Sequence, residues 1–146
     1  MIDYTIYSDP EKVSQATEKE IVDFLFVHLE KYGDRKEDIQ KCLNYALKRD
    51  GKPGGILFQA KDGTETVGAV VINFTGMDGY IPENILVYIA THGGYRGQGI
   101  GKKLMQMAID NTKGSIALHV EPENPAKGLY EKLGFTNKYL EMRLSK

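Results

Sequence analysis

Val87-Tyr88-Ile89-Ala90-Thr91-His92-Gly93-Gly94-Tyr95-Arg96-Gly97-Gln98-Gly99-Ile100-Gly101-Lys102-Lys103-Leu104-Met105 is the stretch that decides the fold. An apolar run ends at Thr91, a glycine-rich loop follows, and Ile100, Leu104, Met107 and Ala108 then recur at helical spacing. The order is strand, flexible turn, helix N-terminus. Gly97, Gly99 and Gly101 let the backbone bend tightly and approach a ligand closely. The first helical turn leaves main-chain N–H groups without intrahelical partners, and the helix dipole adds partial positive charge there. Such a turn suits a phosphate or pyrophosphate. Between Asn84 and Ile109 the charged residues are Arg96, Lys102 and Lys103, with no carboxylate.

Two common phosphate loops do not fit. A Walker A loop requires glycine where Arg96 stands and Ser or Thr where Lys103 stands. The dinucleotide fingerprint fails because Gly97 and Gly99 are followed by Lys102 in the third glycine position. What does fit is Arg-x-x-Gly-x-Gly, as Arg96, Gly99 and Gly101. A second pattern, Asn-Pro-Ala-x-x-Leu-Tyr-x-x-Leu-Gly-Phe, runs from Asn124 to Phe135. With these two stretches in this order, the sequence resembles the GNAT superfamily of acetyl-CoA-dependent N-acetyltransferases.

Around these motifs the chain reads as one α/β (α+β) domain spanning residues 1–146, a length sufficient for a real core. A first strand around Tyr4 and Ile6 closes at Asp9-Pro10. Thr17-x-x-Glu20 is a capping-box pattern that predicts a helix from about Thr17 to Lys31, stopped at Gly33-Asp34. A second helix is expected from about Glu37 to Arg49, with Cys42 on its apolar side as a buried, inert thiol. Ile56–Ala60 and Thr66–Phe74 are strands around the hairpin signal Asp62-Gly63, and the second is apolar enough to be covered on both faces. A strand over Ile85–Thr91 enters the glycine loop, and its helix extends to about Asn111. Ser115–Val120 follows as a strand, and then a short helix capped by Asn124, with Pro125 at its first position and Gly134 as its stop. A final strand is expected from Phe135 to about Leu144. By resemblance this becomes a mixed, mostly antiparallel sheet of 6–7 strands flanked by about four helices, the GNAT acyl-CoA N-acyltransferase fold.

Composition excludes several functions. Net charge is −1, which does not point to nucleic-acid binding. No apolar run approaches a membrane span, the N-terminus lacks a signal-peptide pattern, and a single cysteine forbids an internal disulfide. A cytoplasmic enzyme with no nucleic-acid or membrane partner is expected, and no metal-ligand cluster is apparent.

The resemblance implies an acyltransferase that moves acetyl from acetyl-CoA, its cosubstrate, to an amine acceptor, with a homodimer as an arrangement common in the family. It implies pantetheine contacts from the backbone of Ile89, Ala90 and Thr91. Pyrophosphate contacts fall to Arg96, Gly97, Gln98, Gly99, Ile100 and Gly101, with Asn124 and Lys127 beside the pantetheine and adenosine phosphate. Tyr130 matches the family tyrosine that protonates or hydrogen-bonds the leaving thiolate. Glu83, at the start of the central strand, is the first candidate base, with His92, His119 and a water chain as alternatives. Because only eleven residues follow Phe135, the acceptor site is expected to be open or completed by a second subunit. A non-catalytic acyl-CoA sensor is the alternative class. The acceptor itself has no motif.

Overall fold

The computed structural model describes residues 1–146. Five strands form one sheet in sequence order: β1 (Ile2–Tyr7), β2 (Gly55–Asp62), β3 (Glu65–Phe74), β4 (Asn84–Thr91) and β5 (Ile116–Leu118). Neighbours are antiparallel except β4 and β5, which run parallel. The helices are α1 (Gln15–His28), α2 (Lys36–Ala46), α3 (Ile100–Asp110) and α4 (Ala126–Lys132).

The sheet is buried on both sides because β3 is apolar on both sides. Ala69 and Val71 pack under α1 and α2, in a core that includes Ile21, Leu25, Ile39 and Leu43. Val67, Val70 and Ile72 face α3 and α4, against Ile100, Leu104, Met105 and Tyr130. Gly68 lets α3 come close, since a Cβ there would lie 2.8 Å from Leu104 Cδ1 and 3.0 Å from Ile100 Cγ2. The β2–β3 turn at Gly63 takes φ +62°, as the Asp62-Gly63 signal implies.

The irregularity that matters most is in β4. Leu86 pairs with Ile72 and Tyr88 with Val71, so Val87 is an extra residue. One inserted residue reverses the facing of everything beyond it. Leu86 therefore packs toward α3, whereas Tyr88 and Ala90 pack toward α1 and α2. The pairing of β4 with β5 ends where that bulge begins. The two strands pair only through Asn84–Leu86 with Ile116–Leu118, and the outer edge of β4 from Val87 to Thr91 has no strand beside it.

Several expected boundaries shift. α1 starts earlier than Thr17, because Ser14 is the cap: its Oγ accepts from Thr17 N–H at 3.0 Å. It also ends before Lys31, at His28, and a single 3₁₀ turn, Glu30–Tyr32, follows. α2 stops at Ala46 rather than Arg49, where Lys48 turns left-handed at φ +63°. β5 is shorter than Ser115–Val120 because the diverging β4 offers His119 and Val120 no partner.

The sheet has five strands rather than six or seven. The expected strand from Phe135 to Leu144 does not form. Phe135 N–H bonds back to Tyr130 C=O at 3.0 Å, and beyond it Tyr139, Leu140, Met142 and Leu144 are 79–91% exposed. Their alternation encodes a strand, but a strand needs a neighbouring ladder, and none is beside this segment.

Candidate functional site

The site is built where the α3 N-terminus meets the free half of β4. Gly97 and Gly99 adopt φ +84° and +78°, a backbone that glycine takes without strain. Gly99 is the N-cap and has no side chain to satisfy the helix. Tyr95 N–H bonds to His92 C=O and Arg96 N–H to Gly93 C=O, and the next main-chain donor with a partner is Lys103, bonded to Gly99 C=O at 3.0 Å. The N–H groups from Gly97 through Lys102 have no partner within the chain. They converge at the positive end of α3 with no carboxylate in its first turn. Gly101 sits against Thr91, where a Cβ would lie 3.4 Å from the Thr91 hydroxyl, so the helix end is docked onto the end of β4.

Beside those amides runs the unpaired edge of β4. His92 N–H donates to Val67 C=O at 2.8 Å, which sets the alternation. In an antiparallel ladder, residues two apart point their polar groups the same way. Ala90 and Tyr88 therefore bond toward β3, and Ile89 and Thr91 direct their backbone groups to the open edge. Of the three residues expected to offer free backbone, Ala90 faces the other way.

The loop is pinned by its aromatic residues. Tyr95 Oη donates to Asp62 Oδ2 at 2.7 Å, tying the turn to the β2–β3 hairpin, and this bond pushes the phenol up to about 12. His92 Nδ1 accepts from Gly94 N–H at 2.9 Å, so its neutral form carries the proton on Nε2, 3.7 Å from Glu65 Oε2. Its ring lies 4.4 Å from that of His28, whose pKa is lowered by burial and by His92. Arg96 reaches Glu30 at 3.5 Å. His92 and Arg96 thus join the loop to the end of α1.

A gap opens between β4 and β5 where their pairing stops, and α4 packs beside it in the layer of α3, where a Cβ on Gly101 would lie 4.0 Å from Leu129 Cδ2. Asn124 Oδ1 accepts from Ala126 N–H at 2.9 Å and caps its first turn. Lys127 pairs with Glu131 at 3.2 Å. Tyr130 is 7% exposed; its ring packs on Phe135 with centroids 6.0 Å apart, and desolvation raises its pKa. Its hydroxyl has no hydrogen-bond partner in the chain and is not sealed from solvent. The ring is core and the hydroxyl is a free donor.

Glu83 lies elsewhere. Its Oε1 accepts from Ser115 N–H at 3.0 Å, and its carboxyl fits into the space a Cβ on Gly114 would fill. It clips the start of β4 to the start of β5. Ala90 is about 20 Å further along at ~3.3 Å per strand residue. His119 comes directly after β5 and is exposed.

Sequence reasoning passed over Tyr88 and Asp34. Tyr88 Oη donates to Asp34 Oδ2 at 2.6 Å across the α1–α2 side, and burial with this bond drives the phenol well above its usual range. Only the bulge at Val87 turns Tyr88 that way, and no residue in Leu86-Val87-Tyr88 marks it.

The arrangement is similar to known proteins at the level of fold. A putative acetyl transferase from Pyrococcus furiosus is 25% identical, with a TM-score of 0.64 over 99% of this chain and 100% of that one. The ribosomal-protein-S18-alanine N-acetyltransferase from Escherichia coli is 18% identical, with a TM-score of 0.68 over 92% and 78%. The aminoglycoside N-acetyltransferase AAC(6')-Iy in complex with CoA is 16% identical, with a TM-score of 0.70 over 100% and 95%. A search of curated protein sequences returns no match. The family model described as an acetyltransferase (GNAT) domain matches residues 53–137, which holds β2 to α4 with the glycine loop and Tyr130, and the chain therefore belongs to the GNAT acetyltransferase family.

Proposed function

We propose that the protein is a single-domain N-acetyltransferase that moves acetyl from acetyl-CoA to a primary amine by direct attack in a ternary complex. The observation that carries this reading is the row of unpartnered N–H groups from Gly97 to Lys102, next to the unpaired edge of β4. The amides and the α3 dipole hold the diphosphate of CoA. The free backbone of Ile89 and Thr91 holds the pantetheine arm and thioester in the gap, and Arg96, Asn124 and Lys127 border the cofactor. Two of the similar structures are named for acetyl transfer to an alanine and to an aminoglycoside, both amine chemistry.

The amine nitrogen forms a bond to the acetyl carbon, the C–S bond breaks, and the sulfur leaves with the electron pair. The amine must first lose a proton. An ammonium with pKa ~10.4 is about one part in a thousand neutral at pH 7, a cost on the order of 4 kcal/mol. Glu83 is too far along β4 and already engaged with Ser115. We assign the proton to water, with His119, exposed directly after β5, as the side chain that relays it. Tyr130 supplies the other end of the reaction. Its raised pKa makes full transfer to a thiolate uphill by more than about 2 kcal/mol, so it stabilises the leaving sulfur by a hydrogen bond.

Release of free CoA from acetyl-CoA, measured across polyamines, amino acids, aminoglycosides and N-terminal peptides, tests the reading. Amine-dependent release is expected. Uptake of acetyl-CoA without release for any amine would match an acyl-CoA sensor instead, and absence of both would refute the assignment.

A further inference from the structure

The cofactor groups and the contact between Tyr88 and Asp34 lie on opposite faces of the sheet. The α3 N-terminus and Tyr130 belong to the layer over Ile72 and Leu86. Tyr88 belongs to the layer of α1 and α2, because the bulge at Val87 turned it there. In the reaction proposed above, with the thioester held from the α3 side, the face left for the amine is that of α1 and α2, which carries Tyr88. The carboxylate tied to β4 on that face is Asp34, in the connection between α1 and α2, through its hydrogen bond from Tyr88.

Asp34 has an unusual charge environment. It is exposed, yet one oxygen is fixed by the hydroxyl of a tyrosine that is itself 7% exposed. The cations next to it in the chain are committed elsewhere: Arg35 to Asp38 and Lys36 to Asp23. Asp34 is thus a carboxylate of fixed orientation with a free oxygen and no cation. Its partner is not the reacting nitrogen. A carboxylate paired with that ammonium would hold its proton more tightly, against the requirement that it be neutral.

We propose that Asp34, positioned by Tyr88, binds a second, non-reacting ammonium of the acceptor, so that the preferred substrates are amines carrying a further positive charge. This rests on the acetyltransferase reading above. Tyr88 is the positioning residue: its hydroxyl keeps the carboxylate from turning into solvent, so that rotamer entropy is not lost again on binding.

The test compares putrescine with pentylamine, which match in chain length and differ in the second ammonium. The readout is the ratio of kcat/KM for the two, with acetyl-CoA binding followed in parallel by calorimetry. The wild-type ratio is expected to favour putrescine by about tenfold or more, the worth of one charge-assisted hydrogen bond. Asp34→Asn, which still accepts from Tyr88, should bring the ratio close to one through KM. Tyr88→Phe should lower it by a smaller factor. A wild-type ratio near one, an Asp34→Asn enzyme that keeps its preference, or turnover of neither amine would overturn the proposal. If acetyl-CoA binds normally in those cases, only the role of Asp34 falls; if it does not bind at all, the acetyltransferase reading falls too.

Discussion

Removing the Tyr130 hydroxyl isolates the leaving-group step. The ring is 7% exposed and packs on Phe135, while the hydroxyl makes no hydrogen bond inside the chain. Tyr130→Phe therefore leaves no buried partner unsatisfied and keeps the ring, so its effect on stability should stay within about 0.5 kcal/mol. Its effect on rate should be large. A preorganised donor aimed at charge that develops only in the transition state is worth ~10²–10³ in turnover, about 3–4 kcal/mol. The ground-state thioester carries little charge on sulfur, so affinity for acetyl-CoA should change less than about twofold. Burial raises the phenol above its usual value near 10, so its ionisation removes no activity at neutral or mildly alkaline pH. The assay is kcat from CoA release at saturating amine, beside a calorimetric Kd for acetyl-CoA. Unaltered turnover with a large loss of affinity would refute the role given to this hydroxyl.

The remaining predictions concern the loop, the charges and the thiol. Gly99→Ala should destabilise by about 1–2 kcal/mol, because a side chain is strained at φ +78°. Gly128→Ala, in the middle of α4 with nothing within 4 Å of the new Cβ, should stabilise by up to ~1 kcal/mol; denaturant midpoints of the pair test this, and equal shifts would contradict it. The Arg49 hydrogen bond holds the Glu18 carboxyl below its ordinary range. A depressed folded pKa stabilises above the unfolded pKa and is lost as pH falls through the folded one. Glu18→Gln should therefore cost at most about 1 kcal/mol at pH 7, since Arg49 is half exposed, and the difference should vanish in strong acid. Cys42 is buried and its thiol is pushed up to about 12, so iodoacetamide should label it at pH 8 only after denaturation. Labelling of the native protein at the denatured rate would show that α2 opens readily.

Legibility followed the range of the interactions. The loop was readable because glycine spacing and helix periodicity are local, and the structure puts Gly97 and Gly99 at positive φ and starts α3 at Ile100 as that reading implies. Both faces of β3 followed from its unbroken apolar run. Asn124 capping the first turn of α4 was equally local. What failed depended on neighbours. The strand expected after Phe135 has the right alternation and no ladder to join. The bulge at Val87 reflects how β3 and β4 accommodate two layers at once, and it decides that Tyr88 meets Asp34 and that Ala90 bonds inward. Glu83 was expected near the chemistry by the rule that the central strand carries the base; it stands just before β4, with its carboxylate accepting from Ser115 N–H.

The central claim is that main-chain amides from Gly97 to Lys102 grip the diphosphate of CoA. Amide ¹H–¹⁵N spectra recorded during titration with CoA and, separately, with pantetheine test it most directly. The account predicts that CoA moves the resonances of Gly97, Gln98, Gly99, Ile100, Gly101 and Lys102 together and saturably, and that pantetheine, which lacks the diphosphate, leaves them in place. Shifts that gather elsewhere on the chain, or no saturation at millimolar CoA, would contradict it.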